Sequence, residues 1–311
     1  MSYFFILNPG SKQKRAEKFI PLLMNELKQR NIDFEYRMTS SLEDAYLFSR
    51  EANNNGFEVI VAVGGDGTIN KVVNGFYDET GKRISNAKLG VIHTGTSPDF
   101  CRSYGIPIQS SLALETLLKG FTKEISVARI ELHTQRQECK IRYFTCCASI
   151  GVGAQVAQTS NSGIRKYLGD ALGTFASIII SLSGYRPSDI EILCDGRELA
   201  VEKNFNTFIG KTSFIASGMK VAHNLKDDDN RLYVLSMKKF NLLNIVPAIR
   251  AIYSGKPIQN NDYISFTYVK SIDILNDEIN NRVEFDGDPQ GFLPCRISIA
   301  EDKLGLIANE F

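Results

Sequence analysis

The stretch Val59-Ile60-Val61-Ala62-Val63-Gly64-Gly65-Asp66-Gly67-Thr68-Ile69-Asn70 decides the fold. Val59 to Val63 is an unbroken apolar run of strand length, as expected of a strand buried on both faces. Ile69, Val72, Val73 and Phe76 then recur at i, i+3, i+4 and i+7, which is one face of a helix. The chain therefore runs strand, glycine turn, helix. Glycines in such a turn permit positive φ and let a ligand approach bare backbone. A helix N-terminus offers unpaired N–H groups and partial positive charge, which attract phosphate. Asp66 would repel that phosphate directly, so its expected role is indirect, through a metal ion or by ordering the turn. The bland alternative is an ordinary β-to-α turn; GGDGT behind a buried strand favours nucleotide phosphate.

Upstream and downstream the same alternation continues. Tyr3 to Leu7, Phe34 to Met38 and Leu89 to Ile92 read as strands. Ala16, Phe19, Ile20, Leu23 and Leu27 mark one helix face. Leu42, Ala45 and Phe48 mark another, with Ser40 or Ser41 as its cap. Leu112 to Leu118 is a further helix. Repeated βα units imply a mostly parallel sheet covered by helices, with ligands at the carboxyl ends of the strands. Near Glu124 the pattern changes to strand signals. These run over Ile125 to Ile150, Ile190 to Cys194, Asn206 to Gly210, Leu232 to Met237, Tyr263 to Leu275, Arg282 to Phe285 and Arg296 to Ile299. Asp195-Gly196 and Asp286-Gly287 read as turns between strands. A helical insert is expected over roughly residues 163–183. The expected organisation is an α/β domain over residues 1–124 and an antiparallel β domain over 125–300, packed closely with a cleft between them.

At 311 residues the chain has the length of two domains. A net charge of +1 gives nucleic-acid binding no electrostatic support. Cys101, Cys139, Cys146, Cys147, Cys194 and Cys295 show no CxxC pairing, so buried reduced thiols are expected in place of disulfides or zinc. No basic stretch leads into a signal-type apolar segment. The apolar run 175–182 is too short to span a bilayer. A soluble, cytoplasmic protein is expected, with at most peripheral membrane contact.

Taken together, these residues resemble the diacylglycerol kinase catalytic family of soluble bacterial lipid kinases, which is related to sphingosine and ceramide kinases. The likeness spans nearly the whole chain. Asn8-Pro9-Gly10-Ser11 is similar to the family's opening turn, and Thr39 with Asp44-Ala45 to its next block. GGDGTIN is similar to its nucleotide loop. Ser149 to Ala154 and Gly218 to Ala222 resemble its SIGxGA and GMKIA segments. The block His93-Thr94-Gly95-Thr96-Ser97-Pro98-Asp99-Phe100-Cys101-Arg102 departs from it, with His93 for a proline and Pro98 for an asparagine.

The resemblance implies a Rossmann-like α/β nucleotide-binding domain and an antiparallel β-sandwich domain for the lipid. The active site would lie in the cleft, and residues 301–311 would return to the first domain. It implies transfer of the ATP γ-phosphate to a hydroxyl of diacylglycerol or a related long-chain lipid at a membrane surface. ATP contacts would come from Asn8, Thr39, Gly64, Gly65, Asp66, Gly67, Thr68, Asn70 and Thr96. A structural Mg2+ would be held by the Asp229 carboxylate and the carbonyls of Lys226 and Arg231, with Asn230 taking a glycine's place in the left-handed region. Phe285-Asp286-Gly287-Asp288-Pro289 is similar to the family's D-G-E motif, one methylene shorter at Asp288. One of Asp286 and Asp288 would be the general base. Two alternatives stay open. One is a binding protein without turnover, suggested by Pro98, which lacks a side-chain amide and a backbone donor. The other is a small-molecule kinase similar to NAD kinases, which share GGDGT. An exposed strand in the β half would also allow two copies to pair.

Overall fold

The computed structural model describes residues 1–11, 15–134, 138–154, 185–216, 218–238, 255–275, 282–286 and 288–310. The expected helical insert and the apolar run 175–182 lie outside the described residues.

The first half runs β1 (Tyr3–Leu7), α1 (Arg15–Gln29), β2 (Phe34–Met38), α2 (Leu42–Asn54), β3 (Val59–Gly64), α3 (Asp66–Asn74), β4 (Lys88–His93), α4 (Asp99–Tyr104), α5 (Ser110–Lys119) and β5 (Thr122–Ile125). The second half runs β6 (Ala128–His133), β7 (Cys139–Phe144), β8 (Cys147–Gly151), β9 (Ser188–Cys194), β10 (Arg197–Gly210), β11 (Phe214–Ile215), β12 (Met219–Lys220), β13 (Leu232–Lys238), β14 (Ile264–Val269), β15 (Ser271–Ile274), β16 (Arg282–Phe285) and β17 (Asp288–Ile299). A last strand, β18 (Leu304–Ile307), follows.

The first sheet has the order β2-β1-β3-β4-β18-β5, parallel except at β18–β5. Its inner strands are apolar throughout because helices cover both faces. Phe5, Leu7, Val59, Val61 and Val63 meet Ile20 and Leu23 of α1 and Leu114 and Leu117 of α5. Phe4, Ile6, Ile60 and Ala62 meet Ala45 and Ala52 of α2 and Ile69, Val72 and Val73 of α3. Each such side chain, fully buried, contributes about 1.5–3 kcal/mol. The second of these cores also takes in Tyr143 and Cys146 from the β half.

The second sheet has the order β14-β13-β10-β8-β16-β17-β15-β9, with β6 on β17 and β7 on β6. It closes on itself because β10 also pairs with β9. Arg197 to Val201 face β9, and Asn206 to Gly210 lie between β13 and β8. The register shifts between these stretches, with Lys203 at φ 48°. A strand that changes layer through an irregularity is how a β-sandwich turns a corner. Asp195 and Gly196, at φ 50° and 76°, form the hairpin turn into it.

Two strand readings are corrected. Tyr263 to Leu275 is two strands, since β14 pairs with β13 whereas β15 pairs with β17 and β9. The break sits at Lys270, where the Asp195 carboxylate accepts the N–H groups of Lys270 and Ser271 at 2.8 Å each. In the Ile125 to Ile150 run, expected to break at Thr134 to Glu138, β6 ends at His133, and breaks fall also at Ser126-Val127 before β6 and at Thr145-Cys146 between β7 and β8. Among the cysteines, Cys139 is exposed and Cys194 half-buried; the other four are buried, and all six are free thiols.

Candidate active site

The carboxyl ends of β2, β1, β3 and β4 lie side by side, with Leu7 opposite Met38 and Val63, and Gly64 opposite His93. Asn8, Thr39, the glycine turn and Thr96 follow those four ends, so the topology gathers the residues expected to contact ATP. Helix α3 starts earlier than a loop reading suggests, at Asp66, with Gly65 as its N-cap. Gly67, Thr68 and Asn70 are therefore helical. Gly64 and Gly65 do not have positive φ, which corrects the reason for glycine here. Gly65 is extended, at φ −92° and ψ −177°. Close approach is what requires glycine: a Cβ added at Gly64 would lie 2.5 Å from the Thr68 Cβ, and one added at Gly95 would lie 2.5 Å from the Gly65 Cα.

Hydrogen bonds stitch these ends together. Asn8 Nδ2 donates to Thr68 Oγ1 at 2.8 Å, and Asn8 Oδ1 accepts the Gly10 N–H at 3.0 Å. Ser11 and Thr94 share a hydroxyl contact of 2.5 Å. Thr39 is buried, its N–H donating to Leu7 O at 2.9 Å. Thr96 is exposed. His93, at the end of β4, puts Nε2 at 3.1 Å from Ser97 O and 3.5 Å from Asp66 Oδ1. Asp66 Oδ1 and Ser97 Oγ are buried and have no hydrogen-bond partner among the described residues. Pro98 is the N-cap of α4, where its missing N–H costs the helix nothing, and its carbonyl accepts from Arg102 N at 2.9 Å.

Asp286 enters from the β half, in the turn after β16, at φ 50°. Its Oδ1 accepts the N–H groups of Cys146 at 3.0 Å and Cys147 at 3.2 Å. Its Oδ2 accepts from Thr145 N at 3.0 Å, Thr145 Oγ1 at 3.3 Å and Asn70 Nδ2 at 2.9 Å. The break between β7 and β8 is thus a nest of three successive amides closed on one carboxylate. Burial raises the Asp286 carboxyl above the ordinary carboxylate range, while hydrogen bonds from Thr145, Asn70 and Cys146 act against the rise. Burial also lifts the Cys146 and Cys147 thiols well above their usual range, which removes them as nucleophiles. Asn70 is buried, and its amide also donates to Tyr143 O at 2.9 Å. Its amide N–H groups hold the other half of the molecule, a role different from the ATP contact expected of it. Asp288 opens β17; its side chain and Gly287 lie outside the described residues.

The acidic turn before β13 was expected to hold magnesium through Asp229 and the carbonyls of Lys226 and Arg231. Those carbonyls lie around the ammonium of Lys211, which donates to both at 3.4 Å and more closely to the Asp229 carbonyl. The Asp229 carboxylate faces Arg231, from which Oδ1 accepts N–H at 2.9 Å and Nε at 3.0 Å, and Oδ2 accepts a terminal nitrogen at 2.7 Å. Arg231 holds that carboxyl below its usual range. Burial pushes the Lys211 ammonium down to about 8, with Asp229, Asp227 and Asp228 acting against the fall. With an ammonium at that point the residues present do not fit a divalent ion. Asn230 is not in the left-handed region, contrary to expectation. Lys211 and the amides of Thr145 to Cys147 have no motif in the sequence. The one available signal was a lysine directly behind the apolar end of β10.

The chain is similar to known proteins over most of its length. Residues 2–130 match the model of the diacylglycerol kinase catalytic domain, and residues 146–308 match that of the YegS C-terminal NAD kinase beta sandwich-like domain. A diacylglycerol kinase of Bacillus subtilis (strain 168) is 27% identical over 290 residues, covering 93% of this chain and 90% of the relative. One from Staphylococcus aureus (strain bovine RF122 / ET3-1) is 26% identical over 306 residues, covering 97% and 91%. The crystal structure of a diacylglycerol kinase from Bacillus anthracis str. Sterne has the same fold, with TM-score 0.69 at 21% identity, covering 99% of this chain and 97% of that one. Yeast NADH kinase complexed with NADH is a more distant likeness of fold, with TM-score 0.53 at 11% identity, covering 100% and 84%. With the two family models together matching residues 2–130 and 146–308, this protein belongs to the diacylglycerol kinase catalytic family.

Proposed function

We propose that this kinase uses ATP and transfers its γ-phosphate to a hydroxyl of diacylglycerol or a related long-chain lipid. The observation that carries the reading is the Asn70 amide, which ties the helix of the GGDGT segment to the Asp286 carboxylate at 2.9 Å. The triphosphate would lie at the start of α3 and over Gly65 and Gly95, with Thr39 and Thr96 beside it. Asp66 Oδ1 is buried without a hydrogen bond, with His93 Nε2 at 3.5 Å, and suits the magnesium that ATP brings with it. Both Asp286 oxygens are already filled by donors, so Asp286 is a positioning residue, and Asp288 is our choice for the general base. In the step, the lipid oxygen bonds to the γ-phosphorus while its proton passes to the Asp288 carboxylate. The bond between the γ-phosphorus and the bridging oxygen breaks, and ADP leaves.

No helix among the described residues is long and apolar enough to cross a membrane. As part of the same proposal, the lipid encounter takes place at the membrane surface, as a peripheral and transient contact from the cytoplasmic side. The test is incubation with γ-labelled ATP and magnesium in mixed micelles of diacylglycerol, monoacylglycerol, ceramide, sphingosine, phosphatidylglycerol or a polyprenol, with NAD as the soluble control. A labelled lipid is expected. Labelled NAD, or ATP bound with no acceptor labelled, would overturn the reading. Asp288→Ala should lose about 10^2–10^4-fold in turnover with ATP affinity kept; undiminished turnover removes Asp288 as the base.

A further inference from the structure

The carbonyls of Lys226, Asp229 and Arg231 converge from one turn on a single point. Oxygen ligands gathered in this way suit a hard cation. In this chain the point is taken by the Nζ of Lys211, which hydrogen-bonds all three carbonyls. The number of donors on an ammonium equals the number of carbonyls. Lys211 is 4% exposed, although it directly follows a strand and carries a full charge. A buried lysine needs such partners, because an ammonium stripped of water without them costs several kcal/mol.

The surrounding charges fit the same arrangement. Each carboxylate of the acidic triplet pairs with a side-chain cation. Asp227 pairs with Lys123 at 2.8 Å, Asp228 with Lys303 at 3.0 Å and Asp229 with Arg231 at 2.7 Å. The Asp229 carboxylate, the expected metal ligand, is spent on Arg231. A magnesium ion would need oxygens at about 2.0–2.1 Å in an octahedron. It would have to expel the ammonium to obtain them.

We propose that Lys211 is a built-in cation: its ammonium takes the position of a resident magnesium ion, so that the turn over residues 226–231 is held without bound metal. This stands apart from the choice of ATP and lipid as substrates. It has a consequence for the candidate active site. The Lys211 N–H donates to the Cys146 carbonyl at 2.9 Å, and the Cys146 N–H donates to Asp286 Oδ1 at 3.0 Å. The residue that carries this cation is thus bonded through its own backbone to the middle residue of the carboxylate nest. In this chain it is covalently fixed and independent of the magnesium concentration.

The test uses the full-length protein without nucleotide, desalted after EDTA treatment. Thermal midpoints are read in EDTA and in millimolar magnesium, and bound magnesium is measured by elemental analysis. Equal midpoints and no stoichiometric magnesium are expected for the wild type. Lys211→Asn opens the ring of carbonyls. Its midpoint should fall by several degrees in EDTA and rise again with magnesium, a difference absent from the wild type. A wild-type chain that holds one magnesium per molecule, or whose midpoint falls on chelation, overturns the proposal, and this measurement decides even if the variant does not fold. A variant as stable as the wild type in EDTA also overturns it. So does one whose lowered midpoint magnesium leaves unchanged, because the two cations would then not share a position.

Discussion

At the scale of single residues, Asp286 shows how many donors one buried carboxylate can gather. Its two oxygens take five hydrogen bonds, three of them from the successive backbone amides of residues 145–147. Asp286→Asn keeps the shape but turns one oxygen into an NH2 group, which then faces donors on either side it is placed. The unpaired group should cost about 1–3 kcal/mol in a urea titration. Turnover should fall as well, since the nest fixes the turn that carries Asp288. Asp288→Ala should leave urea stability nearly unchanged, so the pair of variants separates positioning from chemistry. Unaltered stability in Asp286→Asn would remove the nest from the account. The sequence points to Asp286 itself, through the Asp-Gly turn and the family motif. It does not point to the nest, because backbone N–H groups belong to every residue, and it is the break between β7 and β8 that turns these three toward one carboxylate. Lys211 was illegible for a related reason. Its partners are carbonyl oxygens, which carry no side-chain signature.

Among the elements, the junction of β3, α3 and β4 was largely legible. An apolar run, paired glycines and a helical period fix it from the sequence. What the sequence misassigned is why glycine is needed, since proximity of Gly65 and Gly95 was not visible before β3 and β4 were paired. Gly95→Ala puts a Cβ 2.5 Å from the Gly65 Cα, so the two segments must part. Overpacking of this kind costs about 1–3 kcal/mol, read as roughly ten- to hundred-fold weaker ATP binding by calorimetry. Wild-type affinity in that variant would show that the nucleotide lies elsewhere. The start of α2 makes a separate, pH-dependent case. Ser41 caps it, and Asp44 accepts the N–H and hydroxyl groups of Ser40 and the N–H of Ser41, at 2.6–2.9 Å. These bonds, led by the Ser40 hydroxyl, hold the Asp44 carboxyl well below its ordinary range. The folded state therefore prefers the ionised form. Its contribution is present above the ordinary carboxylate range and is lost as the pH falls through and below it. Asp44→Asn should lose stability at neutral pH and show a flatter acid limb in a pH series of thermal midpoints. A limb as steep as that of the wild type would assign acid sensitivity to other groups. Ser41→Ala should cost about 1 kcal/mol.

For the whole molecule, the decisive element is the last strand. β18 is reached only after the chain has built the second sheet, yet it lies between β4 and β5 of the first. Leu306 is opposite Leu89 of β4 and Lys123 of β5 and is fully buried. A four-residue apolar segment near a chain end reads locally as a strand, but its partners lie far upstream, Leu304 opposite Ile125 and Leu306 opposite Leu89. No local pattern names them, and only the family resemblance anticipated the return. The core that receives Leu306 also contains Tyr143, two residues before the nest, and Cys146, at its centre. Asn70 and Asn74 of α3 hold the Tyr143 backbone from the other side, at 2.8–2.9 Å. A cavity at residue 306 should therefore not stay a property of the first sheet. Leu306→Ala is expected to cost about 2–5 kcal/mol. Hydrogen exchange read by mass spectrometry should show the amides of β3 and β4 losing protection together with those of β8 and β16. If the shared core and the Asn70 link join the halves, the two sets open at the same denaturant concentration. If β8 and β16 keep their protection while β3 and β4 lose theirs, the halves unfold separately, and the candidate site would be an interface between two independently folding units.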